Sequence, residues 1–107
     1  MDPLHLTTSR SNGTVIVSVS GELDIANTEL FRSHLLALLQ EAARSRRPGM
    51  GLVIEMSRLS FIDAAGLGIL VSVQNQAMSQ STPLHIAGVP PAMRRLLRIT
   101  GLDQHLT

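Results

Sequence analysis

The segment SFIDAAGLGIL, residues 60–70, decides the fold because it changes from a strand pattern to a helix pattern within a few residues. Asp63 stands at the change, where its carboxylate can accept hydrogen bonds from the free N–H groups of the first helical turn. Gly66 and Gly68 follow inside the predicted helix, although each glycine costs about 1 kcal/mol relative to alanine there. Two features could compensate for this cost: close packing against the sheet, or close approach by a partner or an anion to the bare backbone N–H groups of a helix N-terminus.

The predicted helix, from about Ala64 to Met78, is unusually apolar at its start. Only Ser72 is polar between Ala64 and Val73, so the first turns are apolar on every side. A helix lying on one sheet of a small domain cannot bury every side. We therefore expect part of this surface to be exposed, and an exposed apolar patch beside a charged cap is typical of a protein-binding surface.

The residues before this segment predict a hairpin followed by a crossover. Leu4 and Leu6 alternate with polar residues, as do Val15, Val17 and Val19, and the Asn-Gly pair at 12–13 favours a tight turn between the two runs. Asn27 or Thr28 is predicted to cap a helix that Pro48 and Gly49 end. Its apolar positions recur at helical spacing and are Phe31, Leu35, Leu38, Leu39 and Ala42.

The next strand, GLVIEM at 51–56, is a nearly continuous apolar run, which predicts a strand covered on both faces. After the central segment come the strand PLHIAGV at 83–89 and a last helix that follows Pro90 and Pro91. Met93, Leu96 and Leu97 are predicted to form the inner stripe of that helix, with Gly101 as its stop. Arg94, Arg95 and Arg98 are predicted to form its outer, solvated face. Two strands, then α, β, α, β, α, predict one α/β domain over residues 1–107.

Composition excludes several classes of function. The chain of 107 residues has a formal net charge of +1, no cysteine and only two aromatic residues. Cysteine chemistry is therefore excluded, and the stacking platforms of single-stranded nucleic-acid binders are missing. No apolar stretch approaches the roughly 20 residues that span a bilayer. We expect a cytoplasmic protein with no membrane insertion and no direct contact with nucleic acid.

Catalytic and metal sites are not favoured by the remaining polar residues. Glu22, Asp24 and Asp63 lack the fixed short spacing of a metal site or a paired acid and base, and they are interpreted as helix caps and surface residues. The histidines are scattered without the spacing of zinc ligands, at His5, His34, His85 and His105. No phosphate-binding loop of the GK[ST] type occurs, because the chain contains no lysine. We therefore predict neither an enzyme nor a bound cofactor.

Three segments together resemble a known family. GELD at 21–24, FIDAAGLGIL at 61–70 and PPAMRRLLRITGL at 90–102, in this order and spacing, closely resemble the STAS-domain anti-sigma factor antagonists of bacteria. The resemblance implies the STAS fold, a mixed four- to five-stranded sheet with helices packed mainly on one face. It also implies a function in partner switching. The antagonist binds an anti-sigma factor that is a serine kinase of the GHKL type, which frees a sigma factor, and phosphorylation of the antagonist ends the interaction.

The chain departs from this family at the position of the phosphoacceptor. The family carries a serine or threonine directly before the first glycine of the GLG motif, and this chain has Ala65. Three explanations stay open: a permanently active antagonist, a branch that works without phosphorylation, and an engineered replacement. Ser57 and Ser60 are nearby hydroxyls, but neither matches the family position.

The resemblance also implies the partner-binding residues, which are Glu22, Asp24, Asp63, Ala64, Ala65, Gly66, Leu67 and Gly68. An alternative is a STAS subunit that binds the ATPase of a membrane ABC transporter, since such subunits can also lack the family serine. A third, nucleotide-binding or enzymatic reading would require GTP binding or hydrolysis by the protein alone. The oligomeric state stays open between a monomer and a weak dimer.

Overall fold

The computed structural model describes residues 3–44 and 51–102. The predicted helix stop at Pro48 and Gly49, and His105, lie outside the described residues. The described part has four strands and three helices. The elements are β1 (His5–Ser11), β2 (Thr14–Leu23), α1 (Thr28–Arg44), β3 (Leu52–Ile62), α2 (Ala64–Ser79), β4 (Leu84–Ala87) and α3 (Pro91–Thr100).

The four described strands form one mixed sheet in the order β1-β2-β3-β4. The first two pair antiparallel around the turn at Asn12 and Gly13, whose φ angles of 53° and 88° belong to the left-handed region. The predicted hairpin is therefore confirmed. Strands β3 and β4 each join the sheet in parallel after a helical crossover. The fold class, α/β with a mixed four-stranded sheet, is as predicted.

The core lies between one face of the sheet and the helices. Val15, Val17 and Val19 of β2 are buried there, and all five apolar positions predicted for α1 are buried. The largest fully buried side chains include Phe31 of α1 and Leu70 of α2. One layer of helices on one layer of sheet is enough to exclude water from a single core of this size.

The prediction that β3 is covered on both faces is wrong. Its first residues alternate between buried and half-buried, so only one face of the strand enters the core. The other face carries Glu55, which together with the hydroxyl side chains of Thr7, Ser18, Ser20 and Ser57 lines a polar groove. The apolar run suggested burial on both faces because Val53 is apolar, although it is only half-buried and lies on the outer face of the sheet. β3 runs without a break from Leu52 to Ile62, so the predicted strand at 51–56 and the strand pattern that ends before Asp63 are one element. Register shifts against β2 mark bulges.

Helix α3 differs from its prediction at one position. Met93 and Leu97 are buried as predicted, whereas Leu96 is 38% exposed and does not belong to the inner stripe. A helix of 10 residues that packs along one side needs only two inward positions four residues apart. Gly101 ends the helix with a φ of 82°, as predicted for a left-handed C-terminal residue.

Candidate functional site

The ends of β2 and β3 bring the two predicted segments of the site together. Leu23 pairs with Ile62 in the parallel register, and the N–H of Asp63 donates to the carbonyl oxygen of Leu23 at 3.2 Å. One step earlier, the hydroxyl of Ser60 donates to the carbonyl oxygen of Gly21 at 3.0 Å. The loop after β2 and the start of α2 therefore lie side by side at the carboxyl edge of the sheet, where parallel strands place functional loops.

Asp63 caps α2, as predicted. Its Oδ1 accepts a hydrogen bond from the N–H of Gly66 at 3.0 Å, and its backbone is extended, with φ −102° and ψ −175°. The cap satisfies one of the N–H groups that a helix start leaves without a partner. The half-buried carboxylate is thereby held in a fixed position at the surface.

Gly66 is explained by packing. A Cβ atom added to it would lie 2.8 Å from Cγ of Leu23 and 2.9 Å from Cγ1 of Ile62, both of which are buried side chains. Such distances are too short for carbon atoms, so any side chain at this position would push the helix away from the strands. Gly66 lets the start of α2 sit directly on the ends of β2 and β3.

Gly68 has no such explanation within the described chain. A Cβ atom added there would meet nothing within 4 Å, and the residue is exposed on a helix of ordinary geometry. Ala64 is also exposed, and Ala65 and Leu67 are half-buried. The expectation that part of this apolar helix start faces outward is therefore confirmed. The outer side of the first turns is therefore apolar, with an alanine and a glycine as its exposed residues.

The loop between β2 and α1 is ordered by a small hydrogen-bond network that the sequence analysis missed. Oδ1 of Asn27 accepts from the N–H of Asp24 at 3.0 Å, and its Nδ2 donates to the carbonyl oxygen of Glu22 at 2.9 Å. Oδ1 of Asp24 in turn accepts from the N–H of Ala26 at 2.9 Å. Asn27 or Thr28 was predicted to cap α1. Asn27 stands directly before the helix, and its carbonyl oxygen accepts from the N–H of Phe31 at 3.1 Å, but its side chain points back to the loop. The hydroxyl of Thr28 also turns to the loop and donates to the carbonyl oxygen of Ile25 at 3.3 Å. An Asp and an Asn three residues apart after a strand are the signal for such a turn.

Exposed apolar side chains lie beside the predicted residues. Phe61, which is 46% exposed, pairs with Glu22 across the two strands, and Ile25 on the loop is 78% exposed. Leu30 in the first turn of α1 is 64% exposed. None of these was predicted as a site residue, because single exposed apolar residues cannot be told from core residues in one sequence. Gly66 was also predicted to bind the partner, but it is buried and faces Leu23 and Ile62, so it does not belong to this surface. We call the other predicted residues together with Ile25 and Phe61 the docking face.

The three described histidines lie on different elements of the fold. His5, His34 and His85 lie on β1, α1 and β4, and Nε2 of His34 is 3.2 Å from the Thr8 hydroxyl. Within residues 3–44 and 51–102, no three metal-binding side chains come together. In the same part of the chain, no helix is long and apolar enough to cross a membrane. The docking face offers exposed apolar side chains, and backbone N–H groups hold the carboxylates of Asp24 and Asp63 in place. Both features suit recognition of another protein.

Comparison with known proteins gives the family. The family model described as "Mlab, STAS domain" matches residues 6–107, so this chain belongs to the STAS-domain family. The chain is similar to the anti-sigma F factor antagonist of Paenibacillus polymyxa, with 27% identity over 92% of this chain and 80% of the relative. It is similar to the same degree to the anti-sigma-B factor antagonist of Staphylococcus aureus, of which it covers 86%.

A solved structure agrees with this family. The crystal structure of an anti-sigma factor antagonist from Mycobacterium paratuberculosis superposes with a TM-score of 0.78 at 28% identity, covering 98% of this chain and 84% of that one. The fold implied by the resemblance, a STAS fold with its helices on one face of the sheet, is confirmed.

Proposed function

We propose that this protein is an anti-sigma factor antagonist, which binds an anti-sigma factor through the docking face and so releases a sigma factor. The observation that carries the proposal is Gly68, an exposed glycine in a helix interior with open space where its side chain would be. A free chain would be more stable with alanine there. The lower stability that glycine gives the helix is explained if the surface of a partner comes close to the helix at Gly68. The antagonist relatives support the same function.

The docking face combines two kinds of contact. The outer side of Ala64 and Gly68, with Phe61 and Ile25 nearby, supplies apolar surface for close packing. Asp63, Asp24 and Glu22 supply carboxylates at its edge. Asp63 and Asp24 are already held by hydrogen bonds to backbone N–H groups, so little side-chain entropy is lost when a partner binds. Apolar contact in the centre with charges at the edge is the usual anatomy of a specific protein interface.

Ala65 determines how such an antagonist is regulated. A phosphoryl group at this position would add nearly two negative charges close to the Asp63 carboxylate and would break an apolar interface by repulsion and desolvation. The methyl group of Ala65 accepts no phosphate. The protein therefore acts as a constitutive antagonist toward an anti-sigma factor of the GHKL serine-kinase type in the cytoplasm, and its control lies in its amount or in its partner.

Titration calorimetry against purified GHKL-type anti-sigma kinases from the same genome tests this proposal. One of them is expected to bind the protein in the presence of ATP, and the mass of the protein is expected to stay unchanged after incubation. Asp63→Asn is the informative variant, since asparagine keeps the cap acceptor and removes the charge. Failure of every such kinase to bind the folded protein would contradict the proposal.

A second candidate function is that of a STAS subunit bound to the ATPase of a membrane ABC transporter. The specific observation in its favour is Ala65, because a subunit without a phosphorylation switch needs no hydroxyl there. The docking face would then contact a transport ATPase. The same titration with the transport ATPases of the organism distinguishes the two, since a nucleotide-bound ATPase that binds while all anti-sigma kinases fail would move the protein to this function.

The remaining hypothesis, an enzyme or nucleotide-binding domain, has a separate test. Equilibrium dialysis with GTP, followed by assay for free phosphate, is expected to show neither binding nor hydrolysis by the purified protein. Hydrolysis that survives gel filtration would overturn the binding-protein proposal.

A further inference from the structure

Helix α3 exposes an apolar stripe far from the residues of the docking face in sequence. Leu96 is 38% exposed and Ile99 is 75% exposed, and Ala92 is exposed as well. The three residues follow the spacing i, i+4, i+7, which places them in one line on the helix surface. This is the spacing with which one helix packs against another. We call Ala92, Leu96 and Ile99 the α3 stripe.

The α3 stripe is separate from the part of the helix that holds the fold together. Met93 and Leu97, which are 6% and 0% exposed, anchor α3 to the core on a different side of the helix. The outward side of Leu96 and Ile99 is therefore not needed for folding. Exposing these apolar side chains to water is unfavourable, and it adds nothing to the stability of the free protein.

The arginines of α3 lie on one side of the stripe, and no acidic residue of the helix balances their charges. At 100° per residue, Arg95 lies directly beside Ile99, Arg98 lies further round the helix, and Arg94 lies on nearly the opposite side from the stripe. Arg94, Arg95 and Arg98 are exposed, and no acidic residue occurs between Pro91 and Leu102. Across residues 3–44 and 51–102, none of the three guanidinium groups has a hydrogen bond or an ion pair with a described side chain. Arg10, by contrast, is paired with Glu41 between β1 and α1. The patch thus combines helical apolar spacing with a local excess of positive charge in a chain whose net charge is only +1.

Charge complementarity decides what fits this patch. We propose that the α3 stripe is a second docking surface, which takes an amphipathic helix of a protein partner whose apolar stripe is flanked by Asp or Glu. A helix laid along the stripe would cover Leu96 and Ile99 and place carboxylates opposite Arg95, with Arg98 further along the same side. The proposal does not rest on the anti-sigma function, because the α3 stripe uses none of the residues of the docking face.

Two other occupants fit the patch less well. A second copy of this chain would bring Arg95 and Arg98 of one α3 close to the same arginines of the other, which opposes association. An anionic membrane would attract the arginines, but a surface-bound helix must insert its whole apolar side. Met93 and Leu97 are held in the core, which leaves only two large side chains for insertion.

The experiment uses two synthetic helical peptides and the full chain labelled with ¹⁵N. Both peptides carry leucine at i, i+4, i+7 and i+11, flanked by glutamate in one and by lysine in the other. The glutamate peptide is expected to shift the backbone amide signals of α3 and to bind more weakly at high salt. The lysine peptide is expected to leave them unchanged. Equal shifts with both peptides, no shift at millimolar peptide, or shifts confined to residues 61–68 would overturn the proposal.

Matched variants distinguish binding at the α3 stripe from non-specific binding elsewhere on the protein. Ile99→Gln is paired with Met78→Gln, since Met78 is 67% exposed on α2 and lies outside the stripe. Arg95→Gln is paired with Arg32→Gln on α1. We expect affinity for the glutamate peptide to fall about tenfold in Ile99→Gln and about threefold in Arg95→Gln, and to stay unchanged in the two controls. Thermal melting of each variant confirms that it is folded.

Two further measurements test the other occupants directly. Sedimentation of the wild-type protein with vesicles of phosphatidylglycerol is expected to leave it in solution, and analytical ultracentrifugation is expected to give the same mass for wild type and Ile99→Gln. Vesicle binding that Ile99→Gln abolishes would replace the protein partner with a membrane. A dimer that Ile99→Gln dissociates would replace it with a second copy.

Discussion

Gly66 and Gly68 lie two residues apart in the same helix and carry the same conformational cost, yet their surroundings are opposite. A side chain at Gly66 would collide with Leu23 and Ile62, whereas a side chain at Gly68 would meet nothing within 4 Å. The first glycine is required by the fold of the free chain. The second is not required by packing within the described chain. We propose that Gly68 leaves room for a partner, so that one residue type would serve packing on the inner side of α2 and recognition on the outer side.

Asp63 belongs to both sides of this comparison, and its charge reversal has the largest expected effect. Asp63→Lys removes the cap and places a cation where a carboxylate faces the partner. We expect binding of the anti-sigma factor to weaken about a hundredfold or more, since unpaired interfacial charges cost about 2–5 kcal/mol. Calorimetry measures this loss, and Arg95→Ala, outside the docking face, serves as the unaffected control. Equal losses in both variants would mean that the docking face is misplaced.

The inner side of the comparison is tested by Gly66→Ala. Overpacking against Leu23 and Ile62 costs about 1–3 kcal/mol, and the better helix propensity of alanine returns about 1 kcal/mol. We expect the free energy of unfolding to fall by up to about 2 kcal/mol in urea denaturation. A variant more stable than wild type would show that the contact with the strand ends is looser than the geometry indicates.

The outer side is tested by Gly68→Ala, which should act in two opposite directions. The free protein should become more stable by about 0.4–1 kcal/mol, because alanine fits the open space and restricts the unfolded chain. Affinity for the partner should fall, because the added methyl group occupies the surface that the partner approaches. Urea denaturation and calorimetry on the same preparation measure both effects. A gain in stability with unchanged affinity would remove the reason for a glycine at this position.

The smallest change in stability is expected for Ala65→Ser, which sharpens the comparison by restoring a switch on the outer side. A half-buried serine in the first turn of a helix should alter the free energy of unfolding by less than about 0.5 kcal/mol. The cognate kinase with ATP is expected to add one phosphoryl group, measured by intact-mass spectrometry, and binding should then be lost. A kinase that binds the variant with ATP and leaves its mass unchanged would show that this position is not a phosphorylation site.

The sequence predicted those features that depend on local signals. The structure contains the predicted Asn-Gly turn, the Asp63 cap, the helical spacing of α1 and the order of elements. Each of these features depends on a few neighbouring residues. The apolar start of α2 also predicted exposed surface correctly. The sequence did not predict which of the two glycines packs against the strands and which faces open space. Leu23 and Ile62 contact Gly66 only after β2 and β3 have paired.

The errors have a common physical cause. Leu96 was predicted to lie in the core, and β3 was predicted to lie between two layers, because the identity of an apolar residue does not show which face of its element it occupies. The number of layers in the fold determines whether such a residue is buried, and the described helices form one layer. Leu96 and Ile99 are consequently left on the surface, where they form the α3 stripe. The loop role of Asn27 was missed because its side chain had two competing uses, as a helix cap and as a bridge to Asp24 and Glu22.

We propose that the partner binds the outer side of the start of α2. Nuclear magnetic resonance titration of ¹⁵N-labelled protein with the unlabelled anti-sigma kinase and ATP maps the residues that the partner contacts. We expect the largest changes in amide signals on residues 61–68 and on the loop at 22–25, with Gly68 among them, while Thr7 and Glu55 on the open face of the sheet stay unchanged. Changes concentrated on that open face, with the Gly68 signal unmoved, would contradict it.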